Sequence, residues 1–294
     1  MENKIFANDY LEYSDEDLVN FTYQCFGFSN KGLKRRFKYR MTNRNIRKLK
    51  DFIGNIHNKR ILATSGSGIP LFSLLDESNG IPKFILGFDY SPKQVAYNYL
   101  IKNAIINLEY EEFLIFFGYN KNGRRTWWAK LMRRKIITKI PSILRPFVPH
   151  NHELTKRDLI LKNNSECSFF SNKEDYKKVK KNIQLIKFFV FNLNPFCKES
   201  FSDIFKKESF NFIYLSNVLD WICWHNSVQR KDIKRIFHDF KKVSEKESSV
   251  IVDHLTQRRT LLSEILIEID KLKKEDYNLY IYNWAMYKIL LNNI

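Results

Sequence analysis

The segment Ala63-Thr-Ser-Gly-Ser-Gly68 places two glycines among three hydroxyl residues, between the apolar run Arg60-Ile-Leu-Ala63 and a stretch that Ile69-Pro70 opens. Small residues let a backbone approach a ligand closely, and the free N–H groups at a following helix start favour a polar or anionic group. Asp89 ends the second apolar run, Phe84-Ile-Leu-Gly-Phe-Asp89. A carboxylate about twenty residues beyond a glycine turn, at the tip of the second strand, is placed for ribose hydroxyls. Ser65, Gly66, Ser67, Gly68 and Asp89 are therefore candidates for holding a nucleotide-type ligand. The plain alternative is a tight strand-to-helix turn in which glycine only permits packing.

The elements around this turn read as strand, loop, helix, strand, helix. Pro92 suits the first turn of a helix, and the residues from Pro92 to Ile106 have helical periodicity. Later strands are expected at Leu185–Phe191, Phe210–Ser216 and Ser249–Val252, with a closing strand pair in the tail, Leu279–Tyr282 and Trp284–Leu291. Alternating strands and helices of this kind build a parallel, doubly wound sheet. The longest apolar run, Phe113-Leu-Ile-Phe-Phe117, is strand-sized. The expected organisation is an N-terminal helical segment over 1–57 and a Rossmann-like domain over 58–294, with a basic helical insertion at about 119–183. Ser14 followed by Asp15, Glu16 and Asp17 is a helix start, a hydroxyl cap and then acids in the first turn; on its own this reads as a solvated cap.

Composition narrows the function classes. With 294 residues and 44% hydrophobic content the chain can build a sizeable core, which excludes general disorder. No run approaches 18 apolar residues, and the N-terminus shows no apolar signal segment, so the expected compartment is cytoplasmic, with a peripheral position on the inner membrane face as an option. Four scattered cysteines and six histidines carry no C-x-x-C or H-x-x-x-H spacing, so no metal site is expected. Fifty Lys and Arg against 32 Asp and Glu leave a formal charge of +18, a field that favours polyanions. The compositional alternative is a Lys-, Asn- and Ile-rich coding bias.

The ligand can be narrowed further. The turn lacks G-x-G-x-x-G, and the chain contains no Gly-Lys-Ser/Thr. A loose glycine turn with an acid on the second strand fits S-adenosylmethionine better than NAD or ATP. Several segments then resemble one family in order along the chain: Tyr13-Ser-Asp-Glu-Asp17, Asp89-Tyr-Ser-Pro-Lys-Gln94, Tyr99-Leu-Ile-Lys102, Leu108-Glu-Tyr-Glu-Glu-Phe-Leu-Ile-Phe-Phe-Gly118, Tyr214-Leu-Ser-Asn-Val-Leu-Asp220-Trp221 and Tyr280-Ile-Tyr282. This pattern is similar to that of the S-adenosylmethionine:diacylglycerol 3-amino-3-carboxypropyltransferases, which begin betaine-lipid synthesis. Departures fall at Ile69-Pro70, at Ser91, and at Ser216 or Asn217, where the family carries an acid.

The resemblance implies a Rossmann-like S-adenosylmethionine-dependent transferase fold, S-adenosylmethionine as co-substrate, and a diacylglycerol hydroxyl as acceptor. It also implies roles. Asp89 takes the ribose hydroxyls, with Tyr90 and Gln94 beside it in the motif; Asn192 and Leu193 meet the adenine; Ser65 to Gly68 line the sulfonium and carboxylate side. Ser216 and Asn217 lead to Asp220, which neutralises the ammonium or the sulfonium. A hydroxyl acceptor must lose a proton, and Asp220, His225, His254 and Tyr282 are the candidate bases. A methyl or aminocarboxypropyl transfer to a small molecule or to RNA remains open, as does a non-catalytic basic membrane- or RNA-binding protein.

The insertion has its own chemistry. Lys121, Arg124, Arg125, Lys130, Arg133, Arg134, Lys135 and Lys139 surround Trp127, Trp128, Leu131, Met132, Ile136 and Ile137. Such a segment suits an interfacial helix on an anionic membrane surface, a lid over the substrate, or a nucleic-acid face built from cations and aromatics.

Overall fold

The structure, a computed structural model, describes residues 13–26, 46–118, 127–150, 168–193, 201–205, 209–216, 233–253, 277–283 and 286–291. Among these, the strands are β1 (Arg60–Thr64), β2 (Phe84–Asp89), β3 (Ile186–Val190), β4 (Phe210–Ser216), β5 (Ser244–Asp253), β6 (Tyr277–Asn283) and β7 (Met286–Leu291). They form one sheet in the order β3-β2-β1-β4-β5-β7-β6. The helices are α1 (Asp15–Phe26), α2 (Ile46–Ile53), α3 (Ile69–Ser73), α4 (Pro92–Asn107), α5 (Tyr110–Phe116), α6 (Trp127–Ile137), α7 (Ser168–Ser171), α8 (Lys173–Asn182), α9 (Phe201–Ile204) and α10 (Ile233–Val243). The chain divides into two compact units, one made of residues 13–58 and 65–191, the other including 59–64 and 192–294.

In the first unit β2 and β3 pair in parallel, from Ile85 opposite Ile186 to Asp89 opposite Val190. All of β3 and most of β2 are buried, the continuous apolar texture that parallel strands covered on both faces require. Gly87 is the exception in size within β2. A Cβ there would stand 2.7 Å from the Phe188 ring and 3.0 Å from Leu71, so glycine is what lets α3 and β3 close on β2. Helix α4 begins at Pro92 and is buried along most of its length. Tyr99 in α4 donates its O–H to the Phe188 carbonyl (2.7 Å), tying the helix to β3. Phe72, Phe113, Phe169, Phe170 and Tyr176 complete an aromatic core, with ring centroids 4.8–6.5 Å apart in edge-on and tilted pairs.

The longest apolar run, Phe113–Phe117, strand-sized in length, is helical: its first four residues lie in α5 and Phe117 caps it. The reason is local. Glu109 and Glu112 form a reciprocal capping box at the start of α5, and this fixes a helix before the apolar residues begin. Phe113, Phe116 and Phe117 then fall on the buried side.

The acids after Ser14 do more than cap. Ser14 Oγ accepts the Asp17 N–H at 3.0 Å, as a helix cap should. Asp15, however, reaches Lys102 of α4 at 2.7 Å, and the Lys102 side chain is 1% exposed. Burial pulls the Lys102 pKa down, and the Asp15 carboxylate pulls it back up. Lys187 of β3 donates to the Tyr13 carbonyl, and Glu16 accepts the Ser142 N–H at 2.8 Å. Helix α1 is thus held by buried lysines on β3 and α4. A second buried pair, Lys50 with Asp76, fastens α2.

In the second unit β1 pairs with β4 and β4 with β5, all parallel; β7 is antiparallel to both β5 and β6. The expected closing strand pair is therefore present as β6 and β7. Helix α10 buries Ile236, Phe237, Phe240 and Val243, one face at helical spacing. Arg60 anchors the start of β1 through its N–H to Asn211 Oδ1 (2.7 Å) and an ion pair with Glu245.

Candidate functional site

The turn after β1 is built by its own backbone. Ser65 N–H donates to the Phe88 carbonyl at 2.7 Å, and Gly68 N–H returns to the Ser65 carbonyl at 2.7 Å. This puts Gly66 at φ +47° and Gly68 at φ +75°, both in the left-handed region that glycine adopts without cost. The two glycines differ in what faces them. A Cβ on Gly68 would lie 2.8 Å from Asn98 Oδ1 and 2.9 Å from Phe72 Cε2, whereas nothing stands within 4 Å of a Cβ on Gly66. Gly68 is therefore a packing glycine, and Gly66 is the bare side of the turn.

Asp89 closes the loop between β2 and this turn. Its carboxylate accepts the Ser91 N–H at 2.8 Å, and the Gly66 backbone N–H lies near enough to favour its ionised form. Burial pushes its pKa up to about 7, and the two N–H donors work against that rise. Asp89 itself is half-buried, as is Tyr90, while Ser65, Ser67 and Gln94 are buried. Gln94 lies in the first turn of α4, its N–H on the Ser91 carbonyl at 3.0 Å. The same unit thus contains Ser65, Gly66, Ser67, Gly68, Asp89, Tyr90 and Gln94, with the Ser65–Phe88 backbone bond tying the turn to the end of β2.

The remaining candidates belong to the second unit by sequence. Asn192, half-buried, and Leu193, buried, follow β3 in the second unit. Ser216 ends β4, where its N–H donates to Thr64 Oγ1 at 2.7 Å; it stands opposite Asp253 of β5. Tyr282 occupies β6 at a register shift between Ile281 and Asn283. Asn217, Asp220, His225 and His254 lie outside the described residues. Among the described residues no three His, Cys, Asp or Glu side chains converge as metal ligands would, and no helix is long and apolar enough to cross a membrane.

Sequence reading missed Asn98. It is fully buried in α4, its Nδ2 donates to Ser65 Oγ at 2.9 Å, and its Oδ1 meets no donor. Gln94, Asn98 and Lys102 are polar residues at successive i, i+4 positions of α4, and that spacing was the available signal. Asn98 holds the glycine turn and Lys102 holds α1.

A parallel sheet in the order 3-2-1-4-5, extended by an antiparallel hairpin and flanked by helices, is a Rossmann-like α/β fold of the kind the sequence predicts. Solved structures with similar folds include an rRNA methyltransferase from Streptomyces viridochromogenes, 8% identical over 90% of both chains, with a TM-score of 0.40. An S-adenosylmethionine-dependent methyltransferase from Aquifex aeolicus is 10% identical over 84% of this chain and 88% of its own, with a TM-score of 0.37. An O-methyltransferase from Thermotoga maritima is 6% identical over 85% of this chain, with a TM-score of 0.36; this chain spans 65% of its length. No family model and no curated protein matches the chain. Likenesses this distant carry no inference about ligand or reaction.

Proposed function

We propose that the protein transfers the 3-amino-3-carboxypropyl group of S-adenosylmethionine to an acceptor hydroxyl, with diacylglycerol as the acceptor, releasing methylthioadenosine. The observation that carries the nucleoside half of this reading is the bond from the Ser65 N–H to the Phe88 carbonyl (2.7 Å), which ties the glycine turn to the strand end that carries Asp89, on a turn whose Gly66 side is bare. A carboxylate held there accepts the two ribose hydroxyls, and a backbone without a Cβ lets the ligand lie against it. The residues present fit the group on both counts.

The choice of transferred carbon rests on the resemblance of the Leu108–Gly118 and Tyr214–Trp221 segments. When bound, S-adenosylmethionine offers a γ-carbon whose leaving group is a neutral thioether. The chain's task is orientation: to anchor the amino acid arm and aim that carbon at the acceptor. In this reading Ser65 to Gly68 line the arm, Asn192 and Leu193 meet the adenine, and Ser216, Asn217 and Asp220 meet the charged end. Asp220, His225 and Tyr282 are the groups assigned to take the acceptor's proton.

The test is a pair of isotopic labels. Incubated with a crude lipid extract, S-adenosylmethionine labelled in its carboxyl carbon should pass label to the lipid phase, and methyl-labelled material should not. The reverse pattern would replace this reaction with methyl transfer.

A further inference from the structure

We infer that the outward face of α6, with the groove beside it, seats the protein on an anionic lipid surface. This inference stands apart from the transfer chemistry proposed above and needs neither the glycine turn nor Asp89.

Helix α6 packs inward through Ala129 and Ile136, each 2% exposed, and turns Trp127 outward at 76% exposure. Lys130, Arg134 and Lys135 are exposed on the helix, and Lys139 is exposed just past its end. Trp127, Lys130 and Arg134 follow the i, i+3, i+7 spacing that puts residues on one side of a helix. Arg133 is different: half-buried, it donates to the Pro149 carbonyl at 2.8 Å and belongs to the packing.

Among the described residues none of the four exposed cations forms an ion pair, whereas the lysines of α8 are matched: Lys173 with Glu111 at 2.9 Å, Lys177 with Glu174 at 2.8 Å, Lys180 with Glu109 at 2.7 Å and Lys181 with Glu77 at 3.1 Å. Of these two basic helices, α6 is therefore the one whose exposed cations lack acidic partners among the described residues, and an unmatched patch attracts a polyanionic surface.

The groove beside α6, of about 580 Å³, joins apolar and cationic chemistry. Buried Leu108 and Ile136, with half-buried Met132, supply an apolar floor; exposed Arg134, Lys135 and Lys139 supply the rim. An amphiphile with an anionic head matches both parts. A single-stranded nucleic acid asks for something else, a row of aromatic faces on which successive bases stack. Among the described residues the exposed large apolar side chains are Ile81, Ile115 and Trp127, so only one is aromatic. One exposed tryptophan set among cations is the composition of a membrane-interface anchor.

The experiment is co-sedimentation of the full chain with phosphatidylcholine vesicles, with and without phosphatidylglycerol, in the absence of S-adenosylmethionine. Binding is expected only with phosphatidylglycerol, and it should be lost as salt approaches about 1 M, where the Debye length falls to about 3 Å. Each basic residue near such a surface contributes about fivefold in affinity, so the triple variant Arg134→Gln/Lys135→Gln/Lys139→Gln should bind about a hundredfold more weakly. Trp127→Ala should weaken binding further in the triple background. The control variant Lys173→Gln/Lys177→Gln on α8 should bind vesicles like the native chain, and circular dichroism should show all variants folded. Equal sedimentation with both vesicle types would overturn the inference, as would native-like binding by the triple variant. A single-stranded RNA oligonucleotide that binds more tightly than the vesicles, and loses binding in the triple variant, would overturn it in favour of nucleic acid.

Discussion

Two glycines in one turn make opposite predictions. Gly66 and Gly68 both have left-handed φ, so a Cβ on either costs about 1–2 kcal/mol of backbone strain. At Gly68 the added methyl also meets Asn98 Oδ1 at 2.8 Å and Phe72 at 2.9 Å, while at Gly66 it meets nothing within 4 Å. Overpacking of a filled site adds about 1–3 kcal/mol. Gly68→Ala should therefore cost about 2–5 kcal/mol of stability in total, and Gly66→Ala only the strain. Binding should rank the other way. The Gly66 methyl occupies the bare side of the turn, so Gly66→Ala should fold and lose S-adenosylmethionine affinity by tenfold or more. Thermal melts of both variants and calorimetric titration of Gly66→Ala read the two quantities separately. Native affinity in Gly66→Ala would place the ligand elsewhere; equal destabilisation by both variants would refute the packing argument.

Three further outcomes follow from the site and its supports. Binding of S-adenosylmethionine should tighten as pH rises, because the ionised carboxylate accepts the ribose hydroxyls and burial has raised the Asp89 pKa to about 7. Between pH 6 and 8 the ionised share climbs from roughly a tenth to nine tenths, so affinity measured by calorimetry should rise about tenfold; a flat profile contradicts the assignment of Asp89. Asp15→Asn should cost about 3–5 kcal/mol by leaving the Lys102 ammonium buried without its carboxylate, and Asp15→Asn/Lys102→Met should recover most of the loss. If the single variant melts like the native chain, the buried pair does not hold α1. Asn98→Ala should loosen the glycine turn by removing the Ser65 bond, seen as weaker ligand binding with the α4 helix intact; unchanged affinity would make Asn98 a packing residue only.

Strand positions were legible because a parallel sheet demands them: Arg60–Thr64, Phe84–Asp89 and Phe210–Ser216 are apolar runs that end in turns or acids, and each became a strand. Pro92 marked its helix because proline's fixed φ belongs in a first turn. The apolar run at Phe113 was not assignable from its own residues, since four to six apolar residues carry no period of their own and the deciding signal was the Glu109–Glu112 box just before it. The glycine turn and Asp89 were legible as types and spacing, but the backbone bond from Ser65 to Phe88 that brings them together was not. Asp15 and Lys102 are 87 positions apart, and a hydrophilic helix start gives no hint that its first acid is the partner of a buried lysine. Matched lysines were legible only in part: Glu174 and Asp175 lie within α8 itself, but the pairing of Lys173, Lys180 and Lys181 depends on the positions of Glu111, Glu109 and Glu77.

The central claim is tested most directly by the nucleoside released when the protein meets S-adenosylmethionine and a crude lipid extract. Mass spectrometry should find methylthioadenosine, together with a lipid heavier by one aminocarboxypropyl group. S-adenosylhomocysteine in its place would show that the methyl carbon is the electrophile and would contradict the proposed reaction.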